Sequence, residues 1–113
     1  MQVLLVEDHT DTRTVLGTLL NRCGCRTVTA KNLRDARTRL QEMRFDVLIS
    51  DLNLPDGDGI DLVREAKKAQ DLKAIAITGR TSEEDRNAGL GAGFDCYLTK
   101  PIDFQQLRQA LKS

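Results

Sequence analysis

The sequence predicts an α/β domain in which a parallel sheet of five strands alternates with five helices packed on both faces. Two observations carry this. Short apolar runs alternate with longer amphipathic segments along all 113 residues, the pattern of strands joined by helical crossovers. The runs at residues 3–6, 47–50 and 74–77 read as buried strands because nearly every position is apolar, as expected where both sheet faces are covered.

Residues 2–6 form the first strand. Thr10 or Asp11 caps the next helix, with Val15, Leu16, Leu19, Leu20 and Cys23 at helical spacing, and Gly24 ends it. Residues 25–29 alternate weakly, which places the second strand at or near an edge. Asn32 caps a helix bearing Leu33, Ala36, Arg37 and Leu40, and residues 46–50 form the third strand. The segment Asp51-Leu-Asn-Leu-Pro-Asp-Gly-Asp-Gly is a turn-rich loop. Asp58 caps the helix of Ile60, Val63 and Ala66, and residues 73–77 form the fourth strand. Ser82 opens a helix whose Glu83, Glu84 and Asp85 complement its dipole. Gly89 and Gly91 make that helix short and soft. Residues 95–98 form the fifth strand, and Asp103 caps a last helix striped by Phe104, Leu107, Ala110 and Leu111. No linker, repeat or low-complexity segment interrupts the chain, so residues 1–113 are read as one domain.

Chemistry-bearing residues fall at the strand ends. Glu7-Asp8, Asp51, Thr78-Gly79 and Lys100-Pro101 follow the first, third, fourth and fifth predicted strands, and Tyr97 precedes the lysine by three. In an open α/β sheet, ligands bind outside the carboxyl ends of the strands. The order therefore converges three carboxylates, a hydroxyl and an ammonium at one sheet edge. Magnesium takes hard oxygen ligands and keeps several waters. Glu7, Asp8 and Asp51 supply such ligands, and the backbone carbonyl at Asn53 can add another. Three clustered carboxylates repel one another without a cation. With one, Asp51 serves as a nucleophile toward a phosphoryl group, a reaction that needs in-line geometry and charge neutralisation above all. Lys100 and the Thr78 hydroxyl can each meet a phosphoryl oxygen. Taken singly, each residue has an ordinary structural role; their joint order and spacing carry the reading. His9 has no nucleophile pattern beside it and reads as a solvated residue at a helix start.

Composition narrows the function classes. Lys+Arg and Asp+Glu both number 17, so the formal net charge is zero, which speaks against a polyanion-binding surface. No apolar run approaches the roughly 20 residues of a membrane span. No leader pattern opens the chain, and cytoplasmic residence is expected. Cys23, Cys25 and Cys96 are an odd set, poor for a disulfide framework, and are expected as free thiols.

The segments VLLVEDH, DVLISDLNLPDGDG, AIAITG and DCYLTKP closely resemble the receiver domain of two-component response regulators, over essentially the whole chain. The resemblance implies the flavodoxin-like strand order 2-1-3-4-5, for which a receiver is a standard example. It implies Asp51 as phospho-acceptor, Glu7 and Asp8 as an acidic pair for Mg2+, and Thr78 and Lys100 as phosphoryl contacts. It makes Tyr97 an aromatic switch that turns inward when Thr78 moves, and implies a cis bond before Pro101. It implies a signalling domain rather than an enzyme, whose phosphoryl donor is a phosphohistidine on a sensor histidine kinase or a histidine phosphotransfer protein.

Two details refine the resemblance. DNA-binding relatives often carry charged residues where this chain has Cys96, Gln106 and Ala110. A monomer or weak dimer is therefore expected, with no nucleic-acid binding through this chain. The TKPID ending and LPDGDG loop look more like receivers attached to hybrid sensor kinases. Two other classes compete. A haloacid-dehalogenase-like Mg2+ phosphatase also uses a strand-end aspartate, but usually with Asp-x-Asp after its first strand. A phosphate-independent pseudo-receiver would serve only for docking, and the complete acidic set argues against it.

Overall fold

The computed structural model describes residues 1–113. The main sheet has five strands, all parallel: β1 (Gln2–Val6), β2 (Arg26–Ala30), β3 (Val47–Ser50), β4 (Lys73–Thr78) and β5 (Cys96–Thr99). Their spatial order is β2-β1-β3-β4-β5, the flavodoxin-like order 2-1-3-4-5. Five helices complete the chain: α1 (Thr10–Arg22), α2 (Leu33–Glu42), α3 (Gly59–Ala69), α4 (Glu83–Ala92) and α5 (Phe104–Lys112).

Successive side chains of a strand point to opposite faces, and the core divides accordingly. Val3, Leu5, Val47, Ile49, Ile75 and Ile77 meet Leu16 and Leu20 of α1 and Leu107 and Ala110 of α5. Leu4, Val6, Leu48, Ala74 and Ala76 meet Leu33 and Ala36 of α2 and Leu62, Val63 and Ala66 of α3. The weak alternation of β2 fits its place at the sheet edge, where only Ala30 is buried.

Four of the anticipated caps are present. The side chains of Asn32, Asp58, Ser82 and Asp103 accept N–H bonds at the starts of α2, α3, α4 and α5. The cap of α1 differs. Neither Thr10 nor Asp11 caps it; Thr10 is already helical, and His9 is the N-cap, with no side-chain cap bond. The entry is tied instead by Arg13, whose Nη1 donates to the Glu7 carbonyl at 2.8 Å. Strand β2 starts one residue later than the sequence suggests, because the Cys25 N–H closes the end of α1 on Leu20 O. The loop after Asp51 also has its own order, a short antiparallel pairing of Asn53–Leu54 with Gly57–Asp58.

Two contacts around that loop are invisible in periodicity. Asp56 accepts the N–H groups of Leu33 (2.8 Å) and Arg34 (3.0 Å). With Asn32 taking the Asp35 N–H at 2.7 Å, the first three otherwise orphaned donors of α2 are satisfied. Gly59 lies directly against the Asp51 backbone; a Cβ there would sit 2.3 Å from the Asp51 carbonyl oxygen.

Candidate functional site at the carboxyl edge of the sheet

The ends of β1, β3, β4 and β5 bring their polar residues together. Lys100 Nζ lies 2.7 Å from Glu7 Oε1 and 2.7 Å from Asp51 Oδ2. The Lys100–Pro101 peptide bond is cis. The two carboxylate side chains are 0% and 5% exposed. Buried charges persist only when paired and hydrogen-bonded, and here one ammonium serves two carboxylates. Burial pulls the Lys100 pKa down, but its hydrogen bonds to Asp51 and Glu7 outweigh that and hold it above the usual lysine value. The second Asp51 oxygen, Oδ1, accepts the Asn53 N–H at 3.0 Å.

Asp8 lies beside this pair, and its Oδ1 is buried without any hydrogen-bond partner. Glu7, Asp8 and His9 each offer a ligand atom, all within 4.8 Å of one another. Asp51 stands outside that trio, linked to Glu7 through Lys100. An orphaned carboxylate oxygen beside a buried acid fits a hard divalent cation. The Glu7, Asp8 and Asp51 carboxylates and the Asn53 carbonyl are the groups that would hold it.

Thr78 ends β4 fully buried, and its hydroxyl accepts the Arg80 N–H at 3.1 Å. Tyr97 is turned inward, 5% exposed, and its hydroxyl donates to the Arg80 carbonyl at 2.9 Å. Burial, then the charge of Asp85, pushes the tyrosine pKa up, which keeps it a donor. Its ring packs on Gly89 of α4, with the Arg86 guanidinium 5.8 Å from the ring centroid.

Arg80 joins these parts, and sequence reading missed it. Its Nε and Nη2 donate to Asn53 Oδ1 at 2.9 and 2.6 Å, and its Nη1 to Asp58 Oδ2 at 3.1 Å. One residue thus ties the loop after Asp51 to Thr78 through its amide and to Tyr97 through its carbonyl. An isolated arginine in a loop carries no periodic signal, and only the approach of two distant loops reveals it.

The family model of the response regulator receiver domain matches residues 3–112. The chain belongs to that family. Receiver domains are signalling domains, and this one has no helix long and apolar enough to cross a membrane. It is 42% identical over 106 residues to an uncharacterized 14.6 kDa protein of Leptolyngbya boryana, covering 91% of this chain and 81% of that protein. It is 36% identical to the KDP operon transcriptional regulatory protein KdpE of Escherichia coli, covering 97% of this chain but 49% of the relative. The receiver domain thus spans about half the length of that regulator. A response regulator from Burkholderia pseudomallei superposes with a TM-score of 0.92 at 25% identity, covering 97% of this chain and 65% of that one. Its crystal structure contains a phosphorylated aspartic acid, a calcium ion and citrate.

Proposed function

We propose that this receiver domain is a phospho-accepting switch of a two-component phosphorelay, with Asp51 as the acceptor. The observation that carries the proposal is the Asp51 carboxylate: 5% exposed at a strand end, with its Oδ2 paired to Lys100 at 2.7 Å. Asp51 oxygen attacks the phosphorus of a phosphohistidine on a sensor histidine kinase or histidine phosphotransfer protein. The P–N bond breaks, a P–O bond forms, and the leaving imidazole nitrogen takes up a proton. Lys100 meets the incoming phosphoryl oxygens while remaining within reach of Glu7. Glu7, Asp8, Asp51 and the Asn53 carbonyl would hold Mg2+, which would supply the charge neutralisation that a dianionic group needs to approach three acids.

Signal output follows from Thr78. A phosphoryl group on Asp51 offers its hydroxyl a charged acceptor stronger than any neutral one. Its movement disturbs the Arg80 amide, and the Arg80 carbonyl holds Tyr97. The face of α4, β5 and α5 then changes and is the surface a partner reads. Tyr97 is already inward here, so phosphorylation stabilises an arrangement that the chain itself can adopt. Attachment to a hybrid kinase rests on the TKPID and LPDGDG segments alone; KdpE is a transcriptional regulator. The domain acts in the cytoplasm as a monomer or weak dimer, without binding nucleic acid itself.

Intact mass spectrometry with acetyl phosphate tests the acceptor. A gain of one phosphoryl group is expected with Mg2+, and none with chelator or in Asp51→Asn. Modification that survives either change overturns the assignment. Beryllofluoride titration followed by NMR tests the switch: shifts confined to the surroundings of Asp51 that spare Tyr97 and α4 refute it.

A further inference from the structure

We infer that His9 is a nitrogen ligand at the cation site, which raises this chain's preference for a transition-metal dication over Mg2+. The inference rests on the reading of the Glu7–Asp8 cluster as a cation site and deepens it. His9 Nδ1 lies 3.5 Å from Glu7 Oε2 and 3.5 Å from Asp8 Oδ1. Two atoms bound to one ion at ~2.1 Å are roughly 3.0–3.4 Å apart at octahedral to tetrahedral angles. The observed spacing is within about a tenth of an ångström of that range. The Asp8 oxygen facing His9 is the one that is buried without a hydrogen-bond partner.

The backbone holds this arrangement while the ring stays free to adjust. The His9 N–H donates to Glu7 Oε2 at 3.2 Å, and its carbonyl accepts the Arg13 N–H at 2.9 Å. Arg13 Nη1 also donates to the carbonyls of Glu7 and Asp8 at 2.8 and 3.3 Å. The His9 side chain is 72% exposed, so a small rotation disturbs no packing. Oxygen-only sites suit Mg2+, whereas imidazole suits nickel, zinc, copper and iron. An imidazole beside two carboxylates therefore shifts selectivity along the series from Mn2+ to Ni2+. The competing account is a His9 ring that merely lies beside both acids and takes no part in binding.

His9 is the only histidine among the 113 residues, so any imidazole signal from a bound ion belongs to it. The test uses the full chain with Cys23→Ser and Cys25→Ser, which removes the thiols of the C-x-C pair. Serine is also a good N-cap, so His9→Ser leaves the start of α1 intact. Pulsed EPR of bound Mn2+ is expected to show a directly coupled nitrogen that His9→Ser abolishes. By calorimetry, His9→Ser is expected to weaken Ni2+ about tenfold or more, as loss of a supporting ligand contact does, and to leave Mg2+ within about twofold. Absence of the nitrogen coupling, or equal effects on both ions, overturns the role of His9. If Mg2+ and Ni2+ still bind and Asp8→Asn weakens both, the cation site stands without His9. If neither ion binds the unsubstituted chain, both readings fall.

Discussion

Replacing Gly89 by alanine probes whether the Tyr97 ring is firmly seated, and Gly91 supplies the control. Both glycines lie in α4. A Cβ at Gly91 meets nothing within 4 Å. Gly91→Ala should therefore stabilise the domain by about 0.5–1 kcal/mol through backbone entropy and helix propensity. A Cβ at Gly89 lies 3.0 Å from Tyr97 Cε1 and 3.1 Å from Cδ1, with Phe94 Cδ2 at 3.7 Å. Carbon atoms prefer roughly 3.5–4.0 Å, so the ring must withdraw by about half an ångström. It is 5% exposed, and its hydroxyl is held by Arg80 at 2.9 Å. Overpacking of this kind costs about 1–3 kcal/mol, which offsets or exceeds the propensity gain. Gly89→Ala should be near neutral to about 2 kcal/mol destabilising. The two variants should then differ by about 1–3 kcal/mol in urea denaturation at constant m-value. In a Tyr97→Ala background the gap should collapse, since the obstructing ring is gone. Gly89→Ala that stabilises as much as Gly91→Ala, or a gap that persists without the ring, refutes the seating of Tyr97.

Three further outcomes follow from the same structure. Gly59→Ala places a methyl group 2.3 Å from the Asp51 carbonyl and 3.0 Å from Leu52 Cα. Both obstacles are backbone, so urea melts should show a loss of at least about 2 kcal/mol, and a neutral result would mean that the loop yields freely. Lys100→Met leaves Glu7 and Asp51 buried without their shared ammonium. Removing one partner of a buried pair costs about 3–5 kcal/mol, and partial exposure of Lys100 lowers the expectation to about 2–3 at neutral pH, checked by the same melts. On the acid side, burial raises the pKa of Asp95, but its bonds to Lys67 and the Ala74 N–H outweigh this and set it below the ordinary value. A lowered folded pKa gives stability that is present above the unfolded value of about 3.9 and lost as pH falls through the folded one. Urea midpoints for Asp95→Asn should thus fall less steeply below about pH 4 than those of the unsubstituted chain, and equal slopes would contradict the linkage.

Much of the site was readable in sequence because its residues belong to strand ends. Once residues 3–6, 47–50 and 74–77 are recognised as buried strands, the residues that follow them must emerge at one edge. The caps Asn32, Asp58, Ser82 and Asp103 were also legible, since each acts on N–H groups two or three residues away. The α1 cap was misread because Thr10 and Asp11 resemble caps, while the actual restraint comes from Arg13 reaching back to the Glu7 carbonyl. Lys100 was legible as a strand-end ammonium; that one group bridges Glu7 and Asp51 was not.

By itself, then, the sequence determined the alternation of strands and helices and which chemical groups share the carboxyl edge. Those properties depend on local periodicity and capping, which neighbouring residues settle. Only the tertiary structure decided that Arg80 clamps Asn53 and Asp58, that Asp56 completes the start of α2, that Gly59 touches the Asp51 backbone, and that His9 faces Asp8. The first three join residues more than five positions apart, and His9 faces its neighbour only through the bend between β1 and α1. Such contacts depend on how loops converge after the sheet has formed, and no periodicity in a linear chain encodes that convergence.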